Sequence, residues 1–111
     1  MKAFREYTMT GFDSKHKVCE IMVQISEAGD VVRVYTYKDC IPELFNDEGD
    51  KICRIKQTAT INDLFVNIST APIHIVELLH RNGFVFCEEE GEDDFVGLDK
   101  FRTKFNVYEN S

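Results

Sequence analysis

Between residues 19 and 25 apolar and polar side chains alternate, with Cys19, Ile21, Val23 and Ile25 on one side and Glu20 and Gln24 on the other. A period of two predicts a half-buried strand. A helical spacing through Val18, Ile21, Met22 and Ile25 competes with it, but the β-branched content and the turn at 27–30 favour strand and hairpin. Val31–Tyr37, almost entirely β-branched or aromatic, predicts the antiparallel partner of that strand. Residues 3–10 predict an earlier strand with its turn at 11–14, and residues 51–58 a later one with Cys53 and Ile55 inward. These four strands together predict a four-stranded meander. Residues 41–50, with one proline, one glycine and four acids, predict a surface connection with at most a short helical turn.

At Thr60 the period changes. Ile61, Leu64, Phe65 and Ile68 recur at helical spacing behind a capping threonine, which predicts a short helix. A strand through Leu64, Val66 and Ile68 is the alternative, since Phe65, Val66 and Ile68 suit a pleated surface. Residues 71–82 predict the best punctuated helix: Ser69 or Thr70 caps it, Pro72 opens its first turn and Asn82 with Gly83 stops it. Its inward stripe is Ile75, Leu78 and Leu79, with His74, Glu77 and Arg81 opposite. Residues 84–87 predict a short strand. Leu98, Phe101, Phe105 and Tyr108 line a final helix, or residues 105–108 form an edge strand. The expected fold is α+β: a mainly antiparallel sheet of about five strands with one to three helices packed on one face, in a single domain over residues 1–111.

Composition narrows the setting. At 43% apolar residues, nine of them Phe, a chain of 111 residues has the material for one hydrophobic core. Twenty acidic residues against 13 basic ones leave a charge of −7, which repels phosphate backbones and favours a basic protein as partner over direct contact with nucleic acid. No run approaches the roughly 20 apolar residues of a membrane span, and residues 1–6 lack the apolar block of a secretory signal, so a cytoplasmic location is expected. Cys19, Cys40, Cys53 and Cys87 sit among apolar neighbours and read as free core thiols.

The densest chemical feature is residues 88–94, where Glu88, Glu89, Glu90, Glu92, Asp93 and Asp94 are six acids in seven positions. Carboxylates that repel one another are brought together at low cost only when cations neutralise them, so the run predicts a docking point for Lys and Arg; a solvated loop is the plain alternative. With Glu43, Asp47, Glu48 and Asp50 it can imitate the charge spacing of a nucleic-acid backbone, as an inhibitor of a nucleic-acid-handling protein would. Small acidic inhibitors of that kind are similar in composition and size alone, and no motif here matches a particular family.

A second candidate site is Arg33, Tyr35 and Tyr37, which share one strand face and can stack on a base or grip an anion, although cross-strand packing explains them equally. Other constellations are weaker. His16 and Cys19 with Cys40 and Cys53 lack the paired spacing of a zinc site, the acid run lacks an EF-hand pattern, and no Gly-rich phosphate loop occurs. Cys87 with His74 or His80 is the one pair to consider for a small enzyme. A helix-turn-helix over 61–82 would offer DNA a single cation, Arg81. No catalytic residue, metal ligand or cofactor is assigned. The expectation is a small noncatalytic interaction protein, an inhibitor or regulator of a basic partner; a small-molecule or nucleotide-binding module is the first alternative and a small enzyme the second.

Overall fold

The computed structural model describes residues 4–66 and 71–86. They form β1 (Phe4–Phe12), β2 (Val18–Ser26), β3 (Val31–Tyr37), β4 (Cys53–Gln57), β5 (Ile61–Val66), α1 (Pro72–Arg81) and β6 (Val85–Phe86). All strand pairings are antiparallel, in the spatial order β4-β5-β3-β2-β1-β6. The α+β class stands, with six strands where about five were expected and α1 the single helix among the described residues.

Alternation dictates β1 to β3 as the sequence implies. Tyr7 and Met9, then Cys19, Ile21, Val23 and Ile25, then Val34 and Thr36 all point into the core. One register change interrupts the β2–β3 ladder. Gln24 opposes Arg33 and Ile25 opposes Val31, so Val32 is left unopposed and exposed. The β1–β2 turn falls later than residues 11–14, because Gly11 and Phe12 remain in the ladder opposite Cys19 and Val18. Asp13 organises that turn by accepting the amides of Lys15 and Lys17 at 2.8 and 2.9 Å.

Two expectations fail together in the middle of the chain. Residues 61–66 are strand β5, the alternative to the preferred helix, and β5 rather than β4 lies beside β3, so the predicted four-stranded meander is broken after its third strand. The helical reading treated Ile61 and Phe65 as inward. Instead Asn62 and Leu64 are buried while Phe65 is exposed, which is period two with one polar residue inside. A buried amide is tolerable only if hydrogen-bonded. The Asn62 Nδ2 lies 2.8 Å from the Cys40 carbonyl, 3.0 Å from that of Lys38 and 3.3 Å from that of Tyr37, so its two hydrogens serve the turn that leaves β3. The helix-turn-helix reading of 61–82 ends with this strand. Cys53 and Ile55 of β4 do face inward, half-buried against the core.

Helix α1 closes the inner face. Ile73, Ile75, Val76, Leu78 and Leu79 join the inward residues of β1, β2 and β3 in one buried cluster. Pro72 opens the helix, Ala71 is the N-cap without a side-chain cap bond, and Gly83 takes the left-handed φ of +91°. The expected caps Ser69 and Thr70 lie outside the described residues. Past the helix, Asn82 stitches the 41–52 loop to its end: it accepts from the Phe45 amide at 3.0 Å and donates to the carbonyls of Phe45 and Leu78. That loop has no helical turn. Asn46 accepts the amides of Glu48 and Asp50, Phe45 bridges Lys51, and Leu44 is fully buried beneath them.

Phe84 fixes how the chain returns to the sheet. It is fully buried, and a Cβ on Gly11 would stand only 2.7 to 2.9 Å from three atoms of its ring. Gly11→Ala is therefore expected to destabilise the fold by about 1–3 kcal/mol through overpacking. Urea denaturation of Gly11→Ala, Phe84→Leu and the double variant checks this. The double variant should lose less than the sum of the singles, because the smaller side chain makes room for the methyl group.

Candidate functional site

The face of the sheet opposite α1 carries the residues that sequence alone nominates for a ligand. Arg33, Tyr35 and Tyr37 alternate outward along β3, as predicted. Register places partners beside them on other strands: Tyr35 opposes Asp63 and Met22, and Gln24 opposes both Arg33 and Glu6.

These neighbours form a connected polar network. Arg33 meets the Asp63 carboxylate through two nitrogens, Nε at 2.6 Å and Nη2 at 3.2 Å, which is the planar fork that suits guanidinium and carboxylate. Its guanidinium carbon also lies 5.0 Å from the centroid of the Tyr35 ring. The Tyr35 hydroxyl donates to Glu6 Oε1 at 2.8 Å, and Gln24 Nε2 donates to the same oxygen at 2.9 Å. Beneath the network Met22 is buried, although it lies on the face away from the main core cluster.

Such pairing changes what the trio can do. The guanidinium and the Tyr35 hydroxyl are already engaged within the protein, so an anion competes with Asp63 for Arg33 and a ligand competes with Glu6 for the hydroxyl. Tyr37 is 54% exposed. The Arg33 guanidinium holds the Asp63 carboxyl below the usual carboxylate range. Burial, followed by the hydrogen bond to ionised Glu6, pushes the Tyr35 phenol up to about 12. Neither Asp63 nor Glu6 was nominated from sequence, because they stand 30 and 29 residues from their partners and no local spacing marks them.

Apolar side chains also remain on the surface. Phe12 and Val18 oppose each other at the end of β1 and β2, both more than 60% exposed, and Val85 opposes Thr10 nearby. A shallow cleft of about 260 Å³ runs between α1 and the 46–52 loop, lined by Asp47, Ile52, His74, Glu77 and Arg81. Arg81 approaches Asp47 there at 3.8 Å, and Lys51 pairs with Glu43 at 3.1 Å, so two of the loop's four acids have cationic neighbours.

The remaining nominated residues separate. Cys19, Cys40 and Cys53 are free thiols. Burial pushes Cys19 up to about 12 and Cys53 up to about 11, so both are protonated at neutral pH and are poor nucleophiles and poor metal ligands. Among the described residues no three His, Cys, Asp or Glu side chains converge as a metal site, His16 and Cys19 included. His74 and His80 are both exposed on α1. Their proposed partner Cys87, the acids of 88–94 and the segment 98–108 lie outside the described residues. No described helix is long and apolar enough to cross a membrane.

Protein-family models, curated proteins and solved structures were all compared with the chain, and none matches it.

Two outcomes follow from this chemistry. Asp63 and Asp13 both have lowered carboxyl values, Asp13 chiefly through the Lys17 amide, so their stabilisation is complete above the unfolded-state value near 4 and is lost as pH falls through the folded-state values. Urea midpoints from pH 6 down to 2 should fall, and Asp63→Asn should flatten that decline without abolishing it. Iodoacetamide at pH 7.5 should alkylate Cys19 and Cys53 slowly in the native protein and rapidly in urea; mass mapping of the modified peptides reads this directly.

Proposed function

We propose that this protein is a noncatalytic interaction protein that docks on a basic partner through residues 88–94, acting as an inhibitor or regulator of a protein that handles nucleic acid. The distribution of charge carries the reading. Without the six acids of that run the chain has 14 acidic and 13 basic residues, so seven consecutive positions hold six of the seven surplus negative charges. The surplus negative charge is therefore concentrated in one short segment of the chain.

The fold supplies a reason for that placement to matter. The run begins two residues after Phe86, the last residue of β6, which is the outermost strand on its side of the sheet among the described residues. Because β6 is antiparallel to β1, it carries the chain toward the Glu6 end of β1 and away from Lys15 and Lys17 in the β1–β2 turn. The small-molecule alternative has less to support it, since Arg33 and Tyr35 already engage Asp63 and Glu6.

Affinity capture from native lysate tests the reading. The natural chain is expected to retain strongly basic proteins at 50 mM salt and to lose them at 500 mM, and replacing the six carboxylates by Gln and Asn should reduce capture at least about tenfold. Capture indifferent to both changes would remove the proposal.

A further inference from the structure

We infer that the free edge of β4 is a docking surface for residues 88–94 of a second copy of this chain. The inference rests on the acidic run proposed above as a docking element and assigns it a further, self-associating use. Strand β4 ends the sheet: it pairs with β5 on one side, and among the described residues no strand lies beyond it. An outermost strand presents unpaired backbone donors and acceptors to which an extended segment can add.

Charge selects the segment. Residues 51–57 contain Lys51, Arg54 and Lys56 and no acid, in a chain whose net charge is −7. Arg54 and Lys56 are exposed on the outer face, Arg54 with its guanidinium carbon 6.0 Å from the Phe65 ring centroid and Lys56 opposite Asp63. Lys51 keeps half its side chain in solvent while paired with Glu43. A broad depression lined by Lys51, Cys53, Arg54, Phe65 and Val66 borders the strand. Basic residues on an edge repel a second basic edge, so two β4 strands do not pair with each other. The same charges attract a strand of opposite sign, and the most acidic stretch of this chain is 88–94.

Covalent reach decides between the run of the same molecule and that of another. Phe86 opposes Met9, Met9 opposes Ile21, Ile21 opposes Thr36, Thr36 opposes Asn62, and Asn62 opposes Gln57. Five strand spacings therefore separate the last residue of β6 from β4, roughly 24 Å at about 4.8 Å each. Even fully extended, Glu88 reaches at most about 7 Å from Phe86 and Glu90 about 14 Å, and only Asp93 and Asp94, at about 25 and 28 Å, come within that span, so a chain cannot lay the whole run along its own β4. A second copy has no such restriction. The contact joins two different surfaces, so it closes as a reciprocal pair where each copy's run reaches the other's edge and otherwise propagates into rings or open chains.

Sedimentation velocity on the full chain tests this between 10 and 300 μM in 30 mM and 500 mM NaCl. At low salt the weight-average mass should at least double across the range, and at high salt it should stay at the monomer value. Two variants remove one partner each: Arg54→Glu with Lys56→Glu alters the edge, and Gln and Asn at the six acids alter the run. Each alone should be monomeric, with thermal unfolding of both monitored to confirm the fold. Mixed together they should form a complex limited to two chains, because one supplies an intact run and the other an intact edge. A chain monomeric throughout at low salt, self-association that survives the Arg54→Glu and Lys56→Glu changes, or variants that fail to complement each other would overturn the inference. The edge variant also separates the two readings: its continued capture of basic lysate proteins upholds the proposed function whether or not copies associate. Self-association without such capture would sink the wider reading alone.

Discussion

The register of β5 against β3 is the constraint on which the rest of the molecule depends. With Thr36 opposite Asn62 and Tyr35 opposite Asp63, the amide of Asn62 points inward to the carbonyls of the 37–40 turn while Asp63 points outward to Arg33. A slip of one residue would exchange those faces, placing a carboxylate in the core and leaving three turn carbonyls without their donor. The same amide positions Cys40 at the core boundary, where Leu44 then enters beneath the loop that Asn82 ties to α1. Two asparagines, Asn62 and Asn82, thus link the sheet, the long connection and the end of the helix.

That arrangement divides the molecule into surfaces with different chemistry. The inner face is closed by the apolar stripe of α1, which wraps the stripe predicted from Ile75, Leu78 and Leu79 and adds Ile73 and Val76. The outer face is polar but largely self-satisfied, since each charged group in the Arg33, Asp63 and Glu6 network has a partner within the sheet. The two ends of the sheet are left to differ. One is the basic strand β4, and the other is β6, from which the acidic run departs. The described end at β4 is basic, and the proposed docking of the acidic run draws on that difference in sign.

Several features were legible without coordinates because their causes are local. Alternation in β2 and β3, the β-branched run at 31–37, and the proline and glycine that bracket α1 each act within a few residues, and each appears where the pattern implies. Residues 61–66 were not legible in the same way. Their apolar spacing suits a helix as well as a strand through Leu64 and Val66, and the strand is favoured only once the buried polar residue, Asn62, has a reason to be inside. That reason is a set of carbonyls more than 20 residues away. Asp63 and Glu6 escaped notice for the same cause, as their roles exist only across strands.

By itself the sequence determined the α+β class, the faces of β2 and β3, the single apolar face of α1 and the concentration of acids at 88–94, all of which follow from composition or from periods of two and 3.6. Tertiary structure decided which strands are neighbours, that β5 intervenes between β3 and β4, and that Arg33 and Tyr35 are paired within the sheet. The physical reason is range. Backbone sterics and side-chain alternation act between residues close in the chain, whereas strand order is settled by contacts between segments that meet only after the chain has collapsed.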